Sequence, residues 1–210
     1  MNNTGKNLFE RALQSTLQFG TRRSPNAIVI QNAVIIKRNF AGKDIPCKDS
    51  KGKTFIKKGR RFTLVLTEDL FNALVQEKGN CSHSIWAFDK ENPDLKVYTI
   101  EVNVRMESSN PPMCKLFTKR NKTTDVNILD STNIGILDEI YDIDIERIDL
   151  VLNPYDPDHT GNFTLWLRDL KLSQNEIEDS DDYWSNLNAE EDALPFTPTD
   201  PNLDVDFEQN

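Results

Sequence analysis

Residues 27–67, AIVIQNAVIIKRNFAGKDIPCKDSKGKTFIKKGRRFTLVLT, read as two apolar strands separated by a strongly basic connection. From Ala27 to Arg38 β-branched residues dominate. After Asn32, Val34 and Ile36 alternate with Ala33 and Ile35, the pattern of a strand that bends as it changes burial partners. Arg60 to Leu66 alternates charge, ring and aliphatic residues and supplies the second strand. Between them Gly42, Pro46, Gly52 and Gly59 interrupt any regular element. A loop from Asn39 to Gly59 is longer than usual in a compact domain, and loops of that length are commonly functional or disordered.

From Arg22 to Arg61 there are twelve basic residues against two acids, Asp44 and Asp49, in a chain whose net charge is −9. Attraction of a polyanion follows local potential more than net charge, so this segment points to a nucleic-acid partner. Phe40, Phe55 and Phe62 are interleaved with the cations. Phosphate-neutralising charge beside flat apolar rings suits single strands, whose unpaired bases offer faces as well as phosphates. The candidate phosphate contacts are Lys37, Arg38, Lys43, Lys57, Lys58, Arg60 and Arg61, extended by Arg105 and by the knot Lys119, Arg120 and Lys122. A solvated charged face is the competing reading. The candidate stacking rings are Phe40, Phe62, Trp86 and Trp166, each with core packing as its competing use. Phe40, between Arg38 and Lys43 at the mouth of the loop, is favoured. Tyr98 shares the alternation of Ile100 and Val102 and is expected in the core.

The 210 residues suffice for one domain with a proper core plus a tail, and a mean hydropathy of −0.58 describes a soluble chain. Neither an uncharged bilayer-length run nor an apolar signal-peptide core is present, so an intracellular protein with no membrane contact is expected. Cys47, Cys81 and Cys114 form neither a C-x-x-C pair nor a disulfide framework. Cys81 with His83, joined only by His159, makes a poor zinc set. An enzyme would have to use carboxylates such as Asp142 and Asp144, or Asp138 and Glu139, as Mg²⁺ ligands of a nuclease. Nucleotide-binding and hydrolase motifs are missing and no residue is placed as a general base, so binding without catalysis and without a cofactor is the expectation.

Residues 4–19 show helical spacing through Leu8, Phe9, Ala12, Leu13 and Leu17, and residues 21–26 read as a basic linker. A helix with Thr67 as N-cap and Gly79 as its stop spans the next amphipathic run. Further strands are expected at 84–88, 95–106, 115–118, 146–154 and 162–173, with a short helix or turn pair over 124–140. From Gln174 onward 37 residues hold twelve acids and no Lys or Arg, a composition expected to stay disordered. The organisation read from the chain is therefore an N-terminal helix and linker (1–26), a single-stranded DNA-binding domain (27–175) and an acidic tail (176–210). Its architecture is mainly β, an OB-type barrel, with a two-sheet sandwich as the second choice.

Several pieces, in order, resemble the single-stranded DNA-binding proteins of tailed bacteriophages and prophage-like elements. They are Lys37-Arg38-Asn39-Phe40-Ala41-Gly42-Lys43, Phe62 to Leu66 before a helix, and Val102-Asn103-Val104-Arg105. They continue with Thr118 to Lys122 followed by Leu137-Asp138, and Ile148 to Tyr155 before a final strand. The resemblance covers roughly residues 27–175. It implies an OB fold, coating and protection of single-stranded DNA during phage replication and recombination, and residence in the cytoplasm of an infected or lysogenic bacterium. The N-terminal helix, the Lys-rich loop and the tail depart from it. Within the tail, Glu190 to Phe196 resembles the acidic, Pro-Phe-ended tip with which bacterial single-stranded DNA-binding proteins recruit replication and repair enzymes. The partner contacts so implied are Leu194, Pro195 and Phe196, with Phe207 as a second candidate nearer the end. A nuclease or other nucleic-acid-processing enzyme, or an RNA-binding OB protein, is the alternative.

Overall fold

In the computed structural model, which describes residues 3–22, 24–48, 51–87, 95–120, 123–156 and 158–176, the opening strand bends where its alternation changes. The elements begin with α1 (Asn3–Ala12), β1 (Thr16–Thr21), β2 (Ser24–Gln31), β3 (Val34–Asn39), β4 (Ile45–Lys48), β5 (Thr54–Lys57) and β6 (Arg60–Leu66). Then come α2 (Glu68–Lys78), β7 (Asn80–Cys81), β8 (His83–Ala87), β9 (Lys96–Val104), β10 (Met113–Arg120) and β11 (Thr123–Leu129). Two 3₁₀ turns, Ile134–Asp138 and Asp142–Asp144, lead into β12 (Ile145–Tyr155) and β13 (Asn162–Glu176).

β3 pairs antiparallel with β6, β6 with β9, and β9 runs parallel to the first half of β13, which pairs antiparallel with β12. β12 in turn pairs antiparallel with β2. β2 and β3 are one bent strand. The Ala33 amide donates to Ile148 O of β12 at 2.8 Å, and the next residue, Val34, stands opposite Val65 of β6. Counting β2–β3 as the first strand, the order around the sheet is first, β6, β9, β13, β12 and back to the first. That is the connectivity of a five-stranded, partly open Greek-key OB barrel. No ladder seals it; the covalent bend through Asn32, at φ 52°, joins the two ends.

Alternation decides which side chains fill the barrel. Phe62, Leu64 and Leu66 of β6 and Tyr98, Ile100, Val102 and Val104 of β9 point into one core, where Ile28, Ile30, Ile35, Leu150, Leu152 and Leu165 meet them. A smaller cluster lies on the opposite face of the same strands: Val34, Val65 and Val97 are buried under Ala12, with Leu8 and Phe9 of α1 and Trp86 of β8 packed against them. The N-terminal helix thus covers one end of the outer face and leaves the rest open.

The helix read over 4–19 stops at Ala12. Thr16 to Phe19 pair with Gln31 to Ile28, so the remaining apolar residues and the supposed linker build β1 and the start of β2. The long loop contains a hairpin, β4 with β5, in which Ile45 faces Lys57 and Cys47 faces Phe55. Residues 124–129, read as part of a helix or turn pair over 124–140, belong to strand β11 paired to β10; the 3₁₀ turn at Ile134–Asp138 falls inside the same stretch. α2 has the expected cap, with Thr67 Oγ1 accepting from the Leu70 amide. Gly79 ends it at φ 95°, and a Cβ there would lie 2.6 Å from Gly161 O. Among the described residues no helix is long and apolar enough to cross a membrane. The tail from 177 onward lies outside them.

Candidate nucleic-acid interface

The outward residues of β6 and β9, which the core alternation leaves on the other face, are Arg61 and Thr63 beside Thr99, Glu101 and Asn103. They floor a cleft of about 460 Å³. The β4–β5 hairpin walls it with Ile45, Cys47 and Lys57; β8 walls the other side with His83, Ser84 and Trp86. Through Asn103 the cleft adjoins a second depression lined by Lys58, Arg60, Arg105 and Trp166, and through Arg105 and Trp166 a third reaching Tyr155. One track therefore crosses the face.

Each end of the track carries a cation over an indole. Lys37 Nζ lies 4.7 Å from the centroid of Trp86, and the Arg105 guanidinium carbon lies 4.8 Å from that of Trp166. Trp86 stands opposite Val97 and Trp166 opposite Asn103, so six residues of β9, about 20 Å at ~3.3 Å per residue, separate them. Lys37 reaches Trp86 because β3 bulges there. Lys37 and Arg38 both face the single position of Phe62, and Lys37 takes φ 49°. The extra residue re-aims both side chains, as bulges do.

Of the candidate phosphate contacts, Arg38, Arg60 and Arg61 are engaged within the free protein. Arg38, turned the other way by the bulge, donates to the carbonyls of Leu137 and Ile140 and pairs with Asp142. Arg60 donates to Phe40 O at 2.8 Å and to Ser131 O at 2.9 Å and pairs with Glu107. Arg61, 8% exposed, donates to Gly59 O and pairs with Glu101. Lys57 shares that carboxylate. Among the described residues no carboxylate pairs with Lys37, Lys43, Lys58 or Arg105, which remain to meet phosphates, although Lys43 borders no part of the cleft. Lys119, on β10 beside the far half of β13, pairs with Glu146 of β12 and is not brought to the track. The side chains of Arg120 and Lys122 lie outside the described residues.

The favoured ring is misplaced by the sequence reading. Phe40 and Phe62 are both 0% exposed and stack on each other in the core, centroids 5.5 Å apart, so neither offers a face to a base. Phe40 is drawn in because Asp138 accepts from the amides of Phe40 and Ala41, both at 2.8 Å, pinning the start of the loop against the 3₁₀ turn. The third interleaved ring, Phe55, is 46% exposed, and its pairing with Cys47 sets it on the hairpin face that looks onto the cleft. Trp86 and Trp166 are half-buried, and Tyr98 is buried as expected, its hydroxyl donating to Glu68. Sequence reasoning passed over Thr63, Ser84, Glu101, Asn103 and Tyr155. The alternation of β9 was the signal available for Glu101 and Asn103.

The other candidate chemistry disperses. Asp138 caps the loop and Asp142 serves Arg38 and Arg11, so one acid of each pair in the nuclease reading is engaged in a contact of its own. His83 Nδ1 lies 3.1 Å from the Cys81 carbonyl, while burial pushes the thiol of Cys81 up to about 11 and that of Cys114 up to about 12.

No family model matches this chain, and no curated protein sequence matches it. Among solved structures, the single-stranded DNA-binding protein from bacteriophage Enc34 in complex with ssDNA is similar at a TM-score of 0.39 and 11% identity, over 72% of this chain and 88% of that one. A C-terminal truncation of the Enc34 protein gives 0.37 and 10%, over 77% and 97%. A further structure of the single-stranded DNA-binding protein from bacteriophage Enc34 gives 0.37 and 10%, over 80% and 99%.

Proposed function

We propose that this chain binds single-stranded DNA without altering it chemically, laying the strand across the outer face of β6 and β9 between Trp86 and Trp166. The reading rests on the cation set over an indole at each end of one track, Lys37 at Trp86 and Arg105 at Trp166. An unpaired base lays its face on such a ring while its phosphate meets the neighbouring cation; a duplex keeps its bases stacked inside and offers only phosphates. Thr63, Ser84, Thr99 and Asn103 between the two ends carry neutral polar groups, suited to a strand held without regard to sequence. Coating and protection of exposed strands during phage replication and recombination is the role such binding fits. Recruitment of replication enzymes through Leu194, Pro195, Phe196 or Phe207 belongs to the same proposal.

A fluorescence titration tests it, with oligo-dT and a duplex of equal length at low salt. Submicromolar affinity for oligo-dT and much weaker binding to the duplex are expected. Equal affinity for both, or none for either, overturns the reading, and metal-dependent cleavage in the same tube replaces it with the nuclease alternative.

A further inference from the structure

Glu101 is the one carboxylate lining the cleft among the described residues, set in the middle of its floor opposite Thr63. Both of its oxygens are engaged. Oε2 meets Lys57 Nζ, which arrives from the hairpin, and Oε1 meets Arg61 Nη1 at 3.2 Å, which arrives from β6. Two cations from different elements thus converge on two oxygens of one anion, the arrangement that the paired non-bridging oxygens of a phosphodiester would also satisfy. We propose that Glu101 occupies, in the free protein, the place of a backbone phosphate, and that Lys57 and Arg61 form a phosphate subsite which an entering strand takes over from it. The inference rests on the single-strand reading and adds to it the residue that sets its strength.

The exchange is mechanically available. Arg61 is held from behind by Gly59 O and its side chain is only 10% exposed, so it stays in place when its anion changes. The Glu101 side chain is 36% exposed and has solvent to turn into. The internal anion also has a function in the free state. Two cations facing each other across a half-buried cleft repel, and one left unpaired there is costly. Neutralising them lowers affinity for every anion. It also flattens the salt dependence, because a cation already paired within the protein changes the number of counterions released less than an unpaired one.

The test compares the parent with Glu101→Gln and Lys57→Met on oligo-dT across a salt series. Glu101→Gln keeps an acceptor for Arg61 and removes the charge, so it is expected to bind several-fold more tightly at low salt, with a slope steeper by about 0.7 to 1.4, one or two phosphate contacts on a single strand. Glu101→Ser is the second variant and carries the same expectation. Lys57→Met removes part of the subsite and is expected to weaken binding. If the Glu101 variants weaken binding as Lys57→Met does, or leave affinity and slope unchanged, Glu101 only positions its cations and the inference is wrong. If no protein binds oligo-dT, the single-strand reading falls by itself. The subsite is then judged by calorimetry with inorganic pyrophosphate, where Glu101→Gln must bind several-fold more tightly than the parent and equal binding overturns it.

Discussion

A phenylalanine flanked by cations can close a core or offer its face to a ligand, and Phe40, Phe62 and Phe55 divide between the two uses. Phe40→Ala is expected to cost about 3–5 kcal/mol in urea unfolding, the range for emptying a buried ring site, with the salt slope of binding unchanged. Phe55→Ala, Trp86→Ala and Trp166→Ala should leave the fold standing and each lower the affinity for oligo-dT, by ~1–3 kcal/mol for every base stack lost. Nothing local separates Phe40 from Phe55, since each sits in a Lys- and Gly-rich context. The difference comes from Asp138, almost a hundred residues on, which fixes the backbone of Phe40 and turns its ring inward. Tyr98, by contrast, was legible because the alternate residues Ile100, Val102 and Val104 of β9 share its burial. The thiols follow the same division. Raised pKa values leave Cys81 and Cys114 almost wholly protonated at pH 8, so a thiol-specific reagent should label Cys47 first, and bound oligo-dT should slow that labelling, because Cys47 lines the cleft.

α2 was read correctly from its own residues, whereas the second half of the run 4–19 and the elements defined by their partners were not. α2 carried its cap, its apolar stripe and its stop between Thr67 and Gly79. The β4–β5 hairpin is short, exposed and built from Lys, Pro and Gly-flanked residues, and β11 is exposed along six of its seven positions, so neither shows an apolar alternation. Pairing makes them strands. The Lys37 to Lys43 segment, the first piece of the phage resemblance, turns out to be architectural at Arg38, Asn39 and Phe40. Asn39 ties both ends of the loop through Lys43 and Gly59, and Arg38 reaches the turn that carries Asp138. Asp138→Ala should therefore cost ~1–3 kcal/mol by leaving the Phe40 and Ala41 amides without their acceptor, read as a lower midpoint in denaturant. Gly79→Ala should lower the melting temperature as well. Its positive φ and the 2.6 Å approach to Gly161 O strain the docking of α2 against the β12–β13 connection.

Over the whole molecule, charge is segregated: residues 174–210 carry twelve acids without a single cation, while the cations crowd into 22–61. Density of cations in sequence overstates what the surface offers, because Arg38, Lys57, Arg60 and Arg61 already face carboxylates. If the unpaired cations that line the track, Lys37, Lys58 and Arg105, supply the phosphate contacts, the logarithmic salt slope should be close to −2, about 0.7 per contact on a single strand, well short of a slope counting every cation of the segment. Removing residues 177–210 should tighten binding at low salt and change little at high salt, because a tethered polyanion competes only while its attraction is unscreened. The barrel was legible at this scale as the first choice over a two-sheet sandwich, from the number of strands and the need to protect their edges, and the bend of its first strand was announced by the change of alternation after Asn32. The path of a ligand was legible only in part, since it depends on which cations the fold has already used. Photocrosslinking of a 5-iododeoxyuridine oligonucleotide, with the adducts mapped by mass spectrometry, tests that path most directly. The account predicts adducts at Trp86, Trp166, Tyr155 and Phe55, whereas adducts confined to β1 or to the β10–β11 hairpin, with the cleft unmodified, would contradict it.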